Sequence, residues 1–182
     1  MKKIYLLCFL ISTQVLCAQK METDFGKYKD GKRWRITNDG VMGGLSNGDF
    51  RFTDDGVVFE GNISLENNGG FSSYKSNFSK RDLSSYKKVI IRYRSKKYAM
   101  GFTLEMDRRW FVPYYKANLP STKWKWVEVE IPFSDFVRYN IGRKRPGKIT
   151  QKELKEILRI GFISNEKKAG EFKIEIDYIK FK

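Results

Sequence analysis

The chain has 182 residues and a formal net charge of +15, with 41% hydrophobic residues, 15% aromatic residues and no histidine. The lack of histidine excludes Ser-His-Asp and Cys-His catalysis and every metal site that needs an imidazole ligand. An enzyme of this composition would have to use carboxylates, lysine, tyrosine or a metal bound by oxygen atoms.

The first eighteen residues are typical of a secretory signal peptide. A basic start at residues 1–3 precedes an apolar run at residues 4–11, and cleavage is expected after Ala18. Lipid attachment at Cys17 is the alternative, although the residues before it do not fit that signal well. The apolar run is too short to span a membrane stably, which favours a signal peptide over a membrane anchor. We therefore expect an exported protein, periplasmic or extracellular.

Residues 19–182 are then expected to form a single domain that lacks both cysteines, Cys8 and Cys17. The signal contains two lysines and no acidic residue, so the domain carries 15 − 2 = +13. Such a surface attracts anions over about 8 Å at physiological salt. Export favours an anionic lipid, lipopolysaccharide or acidic glycan, no nucleic acid is expected as a partner, and solubility alone could also explain the charge.

Short strands follow one another along this domain. Residues 49–53 and 57–61 flank Asp54-Asp55-Gly56, which predicts a β-hairpin. Residues 126–131 predict a strand that Pro132 stops, and closing strands are expected at 160–163 and 172–176.

Two strands carry charges of opposite sign. In residues 89–94, Val89, Ile91 and Tyr93 share one face, and Ile90, Arg92 and Arg94 the other. Residues 98–106 alternate in the same way, and their polar face includes Glu105 and continues to Asp107. If the two strands pair, Arg92 or Arg94 can meet one of these carboxylates.

One helix is predicted to begin at Thr150, because Thr150 and Glu153 have capping-box spacing and an apolar stripe follows at Leu154, Ile157 and Leu158. Many short strands with a single helix predict an all-β sandwich. The pattern alone does not separate a jelly roll from an immunoglobulin-like sandwich.

Two glycine pairs, each led by Asn or Asp, stand at residues 38–46 and 64–71. With them, the chain resembles the complex I intermediate-associated protein family over nearly all of residues 19–182. The other matching segments are Trp34, 59–61, 126–136, 154–162 and 170–172.

The resemblance implies a jelly-roll β-sandwich like the galactose-binding domain, an architecture shared with several carbohydrate-binding modules. The family's namesake assists the assembly of respiratory complex I (NADH:ubiquinone oxidoreductase) as a chaperone-like binder and not as an enzyme. This chain departs from the family at residues 94–98, where a glycine-rich turn is usual and no glycine is found. This departure predicts a different binding specificity. The signal peptide is a second departure, from the mitochondrial role of the family's namesake.

We therefore expect a non-catalytic exported protein that binds or assembles an envelope or membrane protein partner. Recognition of a glycan, as in a carbohydrate-binding module, is the alternative. A glycan hydrolase using Glu105 and Asp107 is a third hypothesis, since carboxylates two apart on a strand lie about 6–7 Å from each other. No cofactor is expected, and a structural calcium bound through Asp24, Asp39 or Asp177 remains open.

The predicted binding face holds Trp124, Trp110, Arg92 and Glu105. Trp124 is predicted to expose its ring to a sugar or a lipid, unless a bulge turns it inward. Trp110 begins a dense aromatic run that binds an anionic glycan or peptide, or else forms a core strand.

The loops at the rim of this face contain Asn38, Asp39, Asn67 and Asn68. Their carbonyl and carboxylate oxygens are predicted to line the binding site. The alternative is turn chemistry, because Asn and Asp bond their own backbone and tolerate left-handed conformations. A basic loop at residues 142–148 is either a contact for phosphate or acidic lipid, or simply solvated.

Overall fold

A computed structural model describes residues 21–164 and 167–182. The signal peptide predicted at residues 1–18 lies outside the described residues. Within the described part, strands dominate and one short α-helix is present, α1 (Gln151–Leu154). The strands are β1 Glu22–Asp24, β2 Arg35–Asn38, β3 Asn47–Phe52, β4 Val57–Ile63, β5 Ser72–Lys75, β6 Lys88–Lys96, β7 Met100–Glu105, β8 Tyr114–Leu119, β9 Val127–Pro132, β10 Val137–Asn140, β11 Arg143–Arg145, β12 Arg159–Ser164 and β13 Gly170–Phe181.

These strands form two antiparallel sheets in the described chain. The sheet called here the back sheet has the order β3-β4-β13-β6-β9, and β1 pairs with the end of β13. The other, called the front sheet, has the order β11-β10-β8-β7-β12-β5-β2. After β5 the chain passes repeatedly from one sheet to the other, which brings residues distant in sequence onto the same face.

The core lies between the two sheets and follows the period-two pattern of the strands. Val89, Ile91 and Tyr93 of β6 are fully buried, as predicted, and Phe102 and Leu104 of β7 are buried in the opposing sheet. The predicted β-sandwich is confirmed. No helix in the described residues is long and apolar enough to cross a membrane.

Two local predictions are confirmed. The turn at 54–56 joins β3 to β4, with Phe52 opposite Val57. The Thr150 side chain accepts a hydrogen bond from the Glu153 N–H, and the Glu153 carboxylate accepts one from the Thr150 N–H, completing the capping box.

The pairing considered between the two charged strands does not occur. β6 lies in the back sheet between β13 and β9, whereas β7 lies in the front sheet between β12 and β8. The twelve-residue strand β13 supplies the carboxylates instead: Asp177 pairs with Arg92, and Glu175 pairs with Arg94 at 2.6 Å. Arg92 and Glu105 therefore lie on opposite sides of the sandwich.

Candidate functional site

The outer face of the front sheet, called here the front face, carries a layer of polar and aromatic side chains. In β8, Tyr115, Ala117 and Leu119 are buried in the core, so the intervening side chains point outward. The registers of the neighbouring strands place their alternate residues on the same face. Its main members are Arg35, Lys75, Thr103, Glu105, Tyr114, Lys116, Tyr139 and Arg159.

A stacked tyrosine pair stands at one side of this face. Tyr114 and Tyr139 are cross-strand partners on β8 and β10, and their ring centroids lie 6.0 Å apart with an interplanar angle of 23°. Both residues are half-buried. Burial raises the pKa of Tyr114 to about 12, with smaller effects from Glu105 and Tyr139, so its hydroxyl stays protonated at neutral pH.

Lys116 lies over the tyrosine pair, with its Nζ 4.1 Å from the centre of the Tyr139 ring. Burial lowers the pKa of Lys116 to about 8, and the positive charge of Lys144 contributes. The lysine is therefore charged at neutral pH and titrates just above it. The pair therefore presents aromatic surface with a cation packed on the Tyr139 ring.

Glu105 holds the centre of the front face. Its Oε1 accepts from Lys75 at 2.6 Å, and its Oε2 accepts from Arg159 at 2.6 and 2.7 Å. Glu105 is only 9% exposed, so these ion pairs are shielded from solvent. Burial lowers the pKa of Lys75, but its attraction to Glu105 opposes the shift. Both cations are thereby held in place by one carboxylate.

A cavity of about 420 Å³, called here the cationic pocket, opens beside Glu105. The ring of Phe78 lies under two guanidinium groups, 4.3 Å from Arg159 Cζ and 4.9 Å from Arg108 Cζ. Such contacts fix the orientation of an arginine by cation–π attraction. The pocket is lined by Arg35, Thr37, Lys75, Ser76, Asn77, Phe78, Arg108 and Arg159.

Asp39 ties together the two loops that carry the glycine pairs. Its carboxylate accepts hydrogen bonds from Ser46 N at 2.9 Å, Ser46 Oγ at 2.5 Å, Gly70 N at 2.6 Å and Phe71 N at 3.1 Å. Burial opposes its ionisation, but the hydrogen bonds outweigh burial and lower its pKa. Asp39 is 1% exposed, so it lies inside the loop pair and does not line a rim as predicted.

The neighbouring asparagines follow turn chemistry. Asn67 and Asn68 have positive φ angles of 54° and 61°, and the Asn67 amide donates to Gly43 O at 3.1 Å. Asn38 accepts from Ser72 Oγ at 2.6 Å. The Asn67 and Asn38 side chains bond protein neighbours, and Asn67 and Asn68 adopt the left-handed conformation, so turn chemistry describes these residues better than a binding rim does.

The tip of the loop pair is apolar. Its four exposed aliphatic side chains are Val41, Met42, Leu45 and Leu65, which are 74%, 58%, 56% and 45% exposed. The Asp39 carboxylate holds the backbone beneath them, so these side chains stand on an ordered support. An exposed apolar group of this kind is typical of a protein contact.

Trp124 and Arg92 lie on the outer face of the back sheet. Arg94 lies 4.8 Å from the Trp124 ring centre, and Lys96 and Lys173 each lie 5.3 Å from it. Arg92 is 4.8 Å from the ring of Trp126 and forms an ion pair with Asp177. The half-buried Trp124 ring is therefore turned outward, and not into the core, but cations already cover it.

Trp110 occupies a third position, in the turn between β7 and β8. It is 68% exposed and meets Phe111 edge-on at 5.9 Å. The register of β8 with β10 places this turn at the same end of the front sheet as the turn containing Ile141, which is 55% exposed. The core strand considered for this aromatic run begins only at Tyr114.

The four residues predicted to share one face are thus separated. Glu105 lies on the front face, Trp124 and Arg92 on the back sheet, and Trp110 at an end of the sandwich. Sequence reasoning did not assign the tyrosine pair or the cationic pocket. The alternation of polar and apolar residues in 114–119 was the available signal for Tyr114. The pocket, in contrast, depends on three strands and on the segments after β5 and β7, which are remote from one another in sequence.

In the described ranges, no group of three or more Asp, Glu, Cys or His residues is placed to hold a metal ion. The oxygen ligands considered for calcium have protein partners: Asp24 accepts from the Lys27 N–H at 2.7 Å, Asp177 pairs with Arg92, and Asp39 holds the loop pair.

Solved structures of similar fold include carbohydrate-binding modules. The family 11 module of the cellulosomal cellulase Lic26A-Cel5E of Clostridium thermocellum has a TM-score of 0.62 at 17% identity, covering 88% of this chain and 94% of the module. A structure of the family 11 module from Clostridium thermocellum in complex with a β-1,3-1,4-mixed-linked tetrasaccharide has a TM-score of 0.58 at 18% identity, covering 88% and 94%. At this identity the similarity establishes the fold, and the predicted jelly roll is confirmed.

A search of curated proteins finds no match. The family model described as Complex I intermediate-associated protein 30 (CIA30) matches residues 23–176, which span nearly all of the described chain and include the Asp39 loop pair and the strands of both sheets. The chain therefore belongs to the CIA30 family, as its glycine pairs and later motifs indicate.

Proposed function

We propose that this protein binds a glycan across the front face. The observation that carries the proposal is the half-buried Tyr114–Tyr139 pair, which lies on the same face as the cationic pocket. Tyrosine offers an apolar ring for stacking on a sugar and a hydroxyl for hydrogen bonding. A cavity of about 420 Å³ is within the size range of small-molecule sites, roughly 300–1,000 Å³.

The similar folds are in keeping with this proposal. The modules from Clostridium thermocellum are described as carbohydrate-binding, and one is described in complex with a tetrasaccharide. Their identity to this chain, 17–18%, is too low to transfer a ligand, so the proposal depends on the side chains of the front face.

We propose binding without hydrolysis. The hydrogen bonds and charge of Arg109 hold the pKa of Asp107 well below its usual range, so Asp107 is ionised. Glu105 is occupied on both oxygens by Lys75 and Arg159. A glycosidase needs one carboxylic acid that is free to protonate the leaving oxygen, and neither the ionised Asp107 nor Glu105, held by two cations, is placed for that role.

The test is a glycan array of residues 19–182, followed by calorimetry with the best oligosaccharide. Tyr139→Ala is expected to weaken binding by about tenfold or more, because the sugar loses its stacking surface. Trp124→Ala is the matched control from the back sheet and should bind like the wild type. Thermal unfolding of both variants separates lost binding from lost folding.

The opposite pattern of binding in the two variants would place the ligand elsewhere on the protein. If Trp124→Ala abolishes binding and Tyr139→Ala does not, the ligand lies on the back sheet, on the surface predicted around Trp124 and Arg92. An array on which no glycan is bound would refute glycan recognition altogether.

Protein binding is a second candidate, and the exposed aliphatic tip of the loop pair favours it. Val41 and Met42 are 74% and 58% exposed on a backbone held by Asp39. A partner protein or assembly intermediate could cover this tip, in line with the family's name. The envelope or membrane partner expected from the sequence would bind here and not on the front face.

This candidate is tested by placing a photo-crosslinking amino acid at Met42 in cells that export the protein. A defined adduct that also forms with Tyr139→Ala, but disappears with Leu45→Asp, would support a partner at the tip. An adduct that disappears with Tyr139→Ala instead would place the contact on the front face.

We further propose that the protein acts outside the cytoplasm, in the periplasm or the extracellular space. The support is the signal-peptide pattern of residues 1–18. N-terminal sequencing of the protein from fractionated cells should find Gln19 first, and a chain that begins at Met1 in the cytoplasm would contradict export.

A further inference from the structure

The cationic pocket has more positive charge than its neighbours neutralise. Arg35, Lys75, Arg108 and Arg159 line it, and Glu105 pairs with two of them. Among residues 21–164 and 167–182, no carboxylate lies within ion-pair distance of Arg35 or Arg108. The pocket therefore keeps two arginines with hydrogen-bond donors available to a ligand.

The pocket is also organised before a ligand arrives. Glu105 fixes Lys75 and Arg159 in place through contacts of 2.6 Å. The Phe78 ring orients Arg159 and Arg108, whose guanidinium carbons lie 4.3 and 4.9 Å from its centre. A fixed arginine loses less side-chain entropy on binding and can offer two parallel N–H groups to an oxyanion.

Polar groups for a sugar stand beside these cations. Thr37 and Asn77 line the same cavity and can exchange hydrogen bonds with ring hydroxyls. The pocket thus combines oxyanion binding by arginine with hydroxyl binding by neutral side chains. A bare inorganic anion would use only the first of these.

We infer that the cationic pocket binds the oxyanion of an acidic sugar, either a uronate carboxylate or a sulfate ester. The inference rests on the proposed glycan-binding function and adds the class of ligand to it. Arg35 and Arg108 hold the anionic group, and the tyrosine pair stacks on another unit of the same oligosaccharide.

The spacing of the two parts suits an oligosaccharide. Tyr114 on β8 and Lys75 on β5 are separated by two intervening strands, β7 and β12. At about 4.8 Å between neighbouring strands, the three steps amount to about 14 Å. A monosaccharide is too short to reach both, so affinity should rise with chain length until both parts are engaged.

The experiment uses acidic oligosaccharides and neutral counterparts of the same length. Oligogalacturonate is compared with its carboxyl-reduced form, and a sulfated galactan oligosaccharide with its desulfated form, in calorimetric titrations at physiological salt. The double variant R35Q/R108Q is compared with K87Q/K125Q, which removes the same charge from exposed lysines outside the front face.

Wild type should bind at least one acidic ligand about tenfold or more tightly than its neutral counterpart, and the two ligand pairs distinguish carboxylate from sulfate. R35Q/R108Q should remove that preference, whereas K87Q/K125Q should keep it. Thermal unfolding of each variant confirms that it is folded.

Three results would overturn the inference. Equal binding of the acidic and neutral forms would refute the acidic-sugar inference but would still support glycan binding. A preference reduced equally by both double variants would show that overall charge, and not the pocket, attracts the ligand. No binding to any of the four ligands, together with an empty glycan array, would refute the proposed function as well.

Discussion

Replacing Asp39 by asparagine should destabilise the whole domain, because the Asp39 carboxylate joins two loops that are distant in sequence. Its Oδ2 accepts from Ser46 Oγ, Gly70 N and Phe71 N, and its Oδ1 accepts from Ser46 N. Asparagine has nearly the same shape but only one acceptor oxygen. With that oxygen in the Oδ2 position, its NH₂ group faces the N–H of Ser46.

The magnitude follows from these four contacts. One buried donor left without an acceptor costs about 1–3 kcal/mol. The other three hydrogen bonds lose the carboxylate charge, at about 1 kcal/mol each, since charge-assisted bonds are roughly twice as strong as neutral ones. We expect a total of about 4–6 kcal/mol, or a fall in Tm of about 8–24 °C for a domain of this size.

The assay is thermal and urea unfolding of residues 19–182 at pH 7, with Asp49→Asn as the control. Asp49 is exposed and, among the described residues, accepts a hydrogen bond only from the adjacent Phe50 N–H, so its replacement should change Tm little. The structure lowers the pKa of Asp39 below its ordinary value of 3.8. Its stabilising effect is therefore complete above pH 3.8 and is lost as the pH falls through the lower pKa of the folded state.

The difference between wild type and Asp39→Asn should accordingly be constant near neutral pH and should shrink in acid. A decrease in Tm of less than about 3 °C at pH 7 would refute the assignment of Asp39 as the link between the loops. A difference that grows on acidification would show that the sign of the pKa shift is wrong.

Three further predictions concern packing and charge. Gly44→Ala should destabilise the domain by about 1–3 kcal/mol in urea unfolding, because the new Cβ would lie 2.9 Å from the Asp39 Cβ and closer still to its carboxylate. Gly40→Ala should not destabilise it, because a Cβ at Gly40 has no atom within 4 Å. Equal effects of the two substitutions would contradict this packing. Glu105→Gln should lower the free energy of unfolding by about 2–4 kcal/mol, because it leaves two shielded cations unpaired. Glu156→Gln, which removes an exposed ion pair, should lower it by at most about 0.5 kcal/mol. Affinity for an acidic glycan should fall between pH 7 and 9 as Lys116, with a pKa of about 8, loses its proton, and an unchanged affinity in calorimetry would exclude Lys116 from the site.

Local sequence signals were sufficient for the elements that depend on neighbouring residues. The β3–β4 hairpin needs only the turn at 54–56, and the capping box needs Thr150 and Glu153, three residues apart. The alternation of Val89, Ile91 and Tyr93 correctly identified the core face of β6. Each of these features is determined within about ten residues, so composition and spacing reveal it.

The candidate site could not be predicted in the same way, because it depends on which strands become neighbours. Placing Arg92 with Glu105 required β6 to pair with β7, but β13, from the far end of the chain, carries the carboxylates that neutralise β6. Asp39 was predicted to line a binding rim, because its buried contact with Gly70, which lies 31 residues away, is not visible in the local sequence. Both positions are determined by contacts between residues that are far apart in the sequence.

The exposed strand β11 lies at the edge of the front sheet and consists of Arg143, Lys144 and Arg145. An uncovered sheet edge is a template on which a second chain can add its own strand and begin a fibre. Three adjacent positive charges repel an identical edge, so β11 keeps two copies of the protein from joining there. Saturating concentrations of a polyanion would cancel this repulsion, and fibre growth from the β11 edge is the consequence to watch for in concentrated samples.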